Sequence, residues 1–203
     1  MKLVTIALSA IFLGMAANVM AIEEAQYSVL LKDEALEIRE YAPSIVAEVV
    51  VNGEFEKASN VAFRKLFKYI SGRNSSRSKI AMTAPVSQES QSEKIAMTAP
   101  VGQRATGQGW VVSFMMPASY TMDTIPIPQD TSVALRELPA YRAAAIRYSG
   151  TWSEKRYQSH LLLLRNWIEE NSLEPAGQPV WARYNAPFTP WFMRRNEILM
   201  PIS

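Results

Sequence analysis

Shifting this 203-residue chain by 97 positions lays its second half over its first. Arg39-Glu40 falls on Arg136-Glu137, Gly53 on Gly150 and Phe55 on Trp152. The same shift carries Leu66 onto Leu163 and Ile70 onto Trp167 without a gap. A repeat of this kind makes each half one supersecondary unit that buries its apolar face against its copy. In the first half, residues 27–31 and 36–39 alternate as short strands, and residues 44–51 form a β-branched run ending at the turn Asn52-Gly53. Residues 54–70 predict a helix with Gly72 placed to end it. A strand follows at 110–116, then an extended loop at 117–129 that holds three prolines. Residues 133–138, 142–148 and the helix 152–170 repeat the strand-strand-helix unit, and 180–184 and 193–200 supply closing strands. The expectation is an α+β fold, a twisted, barrel-like antiparallel sheet of two pseudo-repeated β-β-α-β-β halves (about 27–116 and 131–203) with two helices across the outside.

A smaller repeat is literal. Lys79-Ile80-Ala81-Met82-Thr83-Ala84-Pro85-Val86 recurs at residues 94–101. The polar stretch 88–93 between the copies predicts a hairpin or a looped pair of strands. A tandem insertion with one dispensable copy is the other reading.

The N-terminus has the layout of a secretory signal peptide: a short basic start at Lys2, an apolar run over 3–17, and Val19-Met20-Ala21 as a cleavage site. Residues 1–21 are therefore predicted to leave a mature domain of residues 22–203, periplasmic or secreted, with no stable membrane insertion. An uncleaved anchor is the rival reading. The chain has no cysteine, so an exported form rests on its core alone and has no thiolate for chemistry. Composition is 48% hydrophobic and 20% charged, enough for one sizeable core. The formal net charge of +2 comes without a basic stripe and gives nucleic-acid binding little support.

Four motifs resemble the SOUL haem-binding family. Glu37-Ile38-Arg39-Glu40-Tyr41 is similar to its early E-x-R-x-Y strand, and residues 79–86 to its K-I-x-M-T-x-P-V segment. Arg194-Arg195-Asn196-Glu197-Ile198 resembles its terminal R-R-N-E-V/I strand, preceded by the similar Ala182-Arg183-Tyr184-Asn185-Ala186-Pro187. The similarity runs from about residue 27 to the end, in the family's order. It implies haem, or another planar tetrapyrrole, as ligand, bound by a non-enzymatic carrier, buffer or scavenger. The family's twisted two-half sheet agrees with the repeat found independently above.

The first helix has an apolar arc from Tyr69 through Phe55, Leu66, Ile70 and Phe63 to Phe67. The arc is roughly 160° wide, against the about 100° needed to seat a helix on a sheet. The excess edge, Phe63 and Phe67, could wall a ligand groove, or be covered by loops as ordinary core. The resemblance implies that haem lies against this helix, with Asn60, Phe63, Phe67 and Lys68 as contacts and Lys68 pairing with a propionate. Two departures reduce the propionate-binding charge: Asn60 replaces a basic residue of the family, and Thr189 replaces a lysine. Arg64, Arg194 or Arg195 could substitute.

His160 is the single histidine and the one imidazole candidate for an iron ligand, although its position amid Leu163, Leu164 and Trp167 favours a packed core residue. Glu40 stands where some animal members carry a histidine. Met82 and Met97, one in each octapeptide, could ligate iron or fill gaps. Glu197 alternates onto one face of the last strand, where it could face a cavity with a raised pKa or pair with Arg183, Arg194 or Arg195. A cavity-facing Glu197 would suit a binding protein for other amphiphilic or cationic small molecules, or a hydrolase or haem-dependent enzyme that uses this acid. Against an enzyme, there is no second histidine, no Gly-rich phosphate loop and no competent nucleophile. Zinc and copper sites lack their usual ligands.

Overall fold

The computed structural model describes residues 22–77, 92–107 and 109–203. The predicted signal peptide at 1–21 and the first octapeptide, with Met82, lie outside the described residues. In chain order the main elements are β1 (Tyr27–Asp33), β2 (Leu36–Tyr41), β3 (Ser44–Val51), α1 (Phe55–Ile70), β4 (Val101–Thr106) and β5 (Gly109–Met115). Then come β6 (Val133–Leu138), β7 (Tyr141–Tyr148), α2 (Glu154–Glu170), β8 (Val180–Arg183) and β9 (Asn196–Ile202).

The strands form one antiparallel sheet in the order β6-β3-β5-β4-β8-β9-β7-β2-β1. Read outward from its centre, β4, β5, β3 and β6 mirror β8, β9, β7 and β2. The first strand of each half crosses to pair with the second strand of the other, β2 with β7 and β6 with β3. Neither half owns a complete sheet. The expected fold class is the observed one: a curled antiparallel sheet of two interlocked halves with two helices on its outer face.

Each helix starts from the same turn. Gly53 and Gly150, equivalent under the repeat, have φ of +117° and +124°, a region that side-chain-bearing residues rarely adopt. Ser153 then caps α2 by accepting from the Arg156 N–H. The helix α1 buries Ala58, Ala62, Leu66 and Ile70 against Val49, Val112 and Phe114 of the sheet, and α2 buries Tyr157, Leu161, Leu164 and Ile168 against Ala144, Ile146 and Ile198. Removing Leu66 from water alone contributes about 2 kcal/mol.

Two elements differ from expectation. The last strand begins at Asn196 because Trp191–Met193 forms a 3₁₀ turn after Pro190. The strand β4 was not separable from the octapeptide, since Val-Gly-Gln-Arg-Ala-Thr has no alternation of apolar and polar residues. Gln103 is nonetheless 1% exposed there, because its Nε2 donates to the Phe55 carbonyl at 2.9 Å. The second octapeptide copy is docked by the Ile95 N–H, which donates to the Ile70 carbonyl, by the Thr98 hydroxyl, which donates to the Met115 carbonyl, and by Thr98–Ala99, which pairs in parallel with Glu23–Glu24.

Candidate ligand-binding cleft

The inner face of the curled sheet holds a cleft of about 1160 Å³. Cross-strand register explains its depth. Glu197, Ala182, Gly102, Ser113 and Glu48 form one continuous row across β9, β8, β4, β5 and β3. The three residues between the two acids are small. At about 4.8 Å per strand that row is roughly 19 Å long. Val46, Met115, Leu138, Val180 and Leu199 supply apolar wall on the neighbouring rows. At one end Tyr41 and Tyr141 continue the wall, stacked at 5.0 Å and 10°, and Tyr27, outside the lining, packs on Tyr41 with centroids 5.1 Å apart. The other side carries Arg136, which donates to both oxygens of Glu48 at 3.1 and 2.9 Å, with Arg104 3.8 Å from the same carboxylate.

Under the tyrosine end lies a buried ionic network. Glu197 is fully buried and its carboxylate has four bonds. Arg39 donates Nη1 to Oε2 at 2.6 Å and Nη2 to Oε1 at 3.2 Å; Arg195 Nε donates to Oε1 at 2.9 Å; the Tyr184 hydroxyl donates to Oε2 at 2.9 Å. Arg39 also reaches Glu37 and Tyr41, and Arg195 reaches Glu24. Burial alone would raise the Glu197 pKa, but the hydrogen bonds and charges of Arg39 and Arg195, with Tyr184, outweigh it and hold the carboxyl below its usual range. Burial and the adjacent Glu197 push Tyr184 far above the ordinary phenol value. Of the three expected alternatives Arg195 is the one that pairs with Glu197, and Arg39 is a further partner that the sequence did not single out. A satisfied, ionised Glu197 beneath the floor is also the reverse of an acid with a raised pKa.

The other residues singled out from sequence lie elsewhere, and none of those described lines the cleft. Asn60 and Lys68 are exposed on α1. Phe63 is half-buried, edge-on to Phe114 at 5.2 Å, and stacks on Phe67 at 6.0 Å and 10°. Phe67 is 47% exposed, so no loop covers that edge among the described residues. Met97 is 38% exposed. His160 sits half-buried on α2, stacked on Tyr148 at 3.9 Å, with Nδ1 2.8 Å from the Arg156 carbonyl. That carbonyl can only accept, so Nδ1 carries the proton. His160 stands on the helix-covered face, with the sheet between it and the cleft. Among the described residues no cluster of three His, Asp or Glu side chains could hold a metal ion.

Residue types in the cleft fit a flat apolar molecule. Phenols of Tyr120 and Tyr141 are pushed up to about 12, chiefly by burial, and stay protonated at neutral pH. They are hydrogen-bond donors there, and Met115 and Met116 place soft thioethers in the lining.

A model of the SOUL heme-binding protein family matches residues 22–201. The chain belongs to the SOUL family. Relatives include heme-binding protein 1 of Xenopus laevis, 25% identical over 165 residues, 81% of this chain and 82% of that protein. Heme-binding protein 2 of Homo sapiens is 26% identical over 171 residues, 79% of this chain and 78% of that one. Among solved structures, the C-terminal domain of EcmrR superposes with a TM-score of 0.52 at 14% identity, covering 87% of this SOUL chain and 98% of the domain. A hydrolase from Listeria innocua does so with 0.51 at 12%, covering 86% and 94%. Identities this low show the fold alone.

For this SOUL chain, sequence reasoning missed Arg39, Tyr41 and Tyr184 as members of the network. The signal was present: Glu37, Arg39 and Tyr41 alternate onto one face of a strand, as do Arg195 and Glu197.

Proposed function

We propose that this protein binds haem or another planar tetrapyrrole without covalent attachment, in the concave cleft, as a carrier, buffer or scavenger rather than an enzyme. The observation that carries the placement is the cleft's size and lining, about 1160 Å³ over a floor of small residues with apolar and tyrosine walls. That is slightly above the roughly 300–1,000 Å³ typical of ligand pockets, and suits a large flat ring system. Membership of the SOUL family and the names of the relatives support a tetrapyrrole as the occupant. Tyr41 and Tyr141 would face the ring, and Arg104 and Arg136 are the cations on the wall. The bound group would supply any redox chemistry; the chain supplies burial. The ionised, fully bonded Glu197 supports a binding role over acid/base catalysis. The signal-like residues 1–21 support a periplasmic or secreted setting.

The test is a titration of the mature protein with hemin, followed by the Soret band. Saturation near one equivalent is expected. Uptake equal to that of an unrelated protein of similar size would end the proposal.

A further inference from the structure

On the helix-covered face, between the N-terminal ends of α1 and α2, the sheet carries a second polar group of residues. Register sets Tyr148, Asn196 and Arg183 side by side on β7, β9 and β8, and Trp181 opposite Gln103. Six buried polar atoms here have no hydrogen-bond partner among the described residues; four can donate, Tyr148 Oη, Trp152 Nε1, Trp181 Nε1 and Arg183 Nε, and two, Gln103 Oε1 and Asn196 Oδ1, only accept. Buried polar groups of folded proteins are almost always satisfied, so four donors in one neighbourhood mark an acceptor the protein atoms do not supply.

The charge is equally one-sided. The Arg183 guanidinium lies 4.9 Å from the Trp181 ring centre and 5.4 Å from that of Trp152, and donates to Ser59 Oγ on α1. Arg194 lies 4.4 Å from the Trp152 ring centre, and Arg156 folds back from the first turn of α2 onto the Ser149 carbonyl. Among the described residues, none of these three arginines has a carboxylate within ion-pairing distance. Burial lowers Arg183 to about 10, which leaves it charged at neutral pH. Water could satisfy the N–H groups but would leave the guanidinium uncompensated. An anion does both, and the two helix N-termini add partial positive charge.

We propose that this cluster is a binding site for a small oxyanion, with Arg183 as its counter-charge and the indole N–H groups of Trp152 and Trp181 as donors. Arg194 and Arg156 close the outer side. The shared chemistry is that of inorganic phosphate or of a ligand carboxylate.

Five indole N–H signals in a ¹H–¹⁵N spectrum read the site directly. Trp110 and Trp167 serve as internal references, since they already donate to the Gly53 carbonyl and to Asp33. Titration with inorganic phosphate at constant ionic strength should move Trp152 and Trp181 saturably and leave Trp110 and Trp167 in place. Arg183→Gln should abolish the response; Arg194→Gln, on the outer side, should weaken it about tenfold with the reference signals unchanged. A second arm uses metal-free protoporphyrin IX against its dimethyl ester. A response to the free acid alone identifies the occupant as a ligand carboxylate, and moves the tetrapyrrole from the cleft to the helix side. Failure of both arms, or movement of all four signals together, overturns the oxyanion site and leaves the cleft proposal standing.

Discussion

Arg39 on β2 and Glu197 on β9 are joined by two hydrogen bonds, 2.6 and 3.2 Å long, that pass over the intervening strand β7. They can meet because the pair runs diagonally across β7, past Ala143, which is in register with Arg39, and Ala145, both fully buried. A strand of the first half is thereby locked to the last strand of the second. The repeat sharpens the meaning of this pair. Arg136 is the equivalent of Arg39, and it too holds a glutamate, Glu48, but at the rim of the open cleft.

The two pairs should differ in worth. Glu197→Gln strands a buried guanidinium and is predicted to cost about 3 kcal/mol. Glu48→Gln, at a half-exposed pair, should cost under about 1 kcal/mol. Urea unfolding of the two variants checks this; equal losses would contradict the burial argument.

Acid should expose the same difference. The Glu197 pKa is depressed in the folded state, so the unfolded chain binds its proton first as pH falls. The stability it contributes is complete above the ordinary value of 4.5 and is lost as pH falls through the folded value. Wild type should therefore lose stability below about pH 4.5 more steeply than Glu197→Gln. At the alkaline end the sign reverses. Tyr41 and Tyr184 have raised pKa values, so their contribution is full below pH 10 and falls as pH climbs beyond it. Urea midpoints across pH 3–11 read both limbs.

The helix α1 separates core from surface within adjacent residues. Leu66→Ala is predicted to cost about 2–5 kcal/mol, since Leu66 is wholly buried. Phe67→Ala should cost under about 1 kcal/mol, because that ring is 47% exposed. Thermal unfolding of both variants decides.

That contrast also marks what was legible in the sequence. The repeat, the helices and most strands were readable because apolar residues recur at the period each element requires, and Gly53 and Gly150 punctuate both halves alike. Which face holds the cleft was not readable. Helical periodicity draws the eye to Phe63 and Phe67, whereas the cleft floor carries Gly102 and Ser113. Small residues leave no hydrophobic signal, and their alignment depends on the register of β4 and β5. Glu197 was visible as an isolated acid on an apolar strand. Its partner Arg39 was not, because nothing local says that β2 crosses to the far half.

The most direct test of the account compares hemin binding by wild type, Ser113→Phe, Leu138→Trp and Phe67→Ala, with unfolding curves confirming that each variant is folded. Ser113→Phe fills the cleft floor and Leu138→Trp narrows its rim. Either should weaken hemin at least about tenfold, while Phe67→Ala stays within about twofold of wild type. Loss of affinity in Phe67→Ala, with both cleft variants binding normally, would contradict the account and return the ligand to the face of α1.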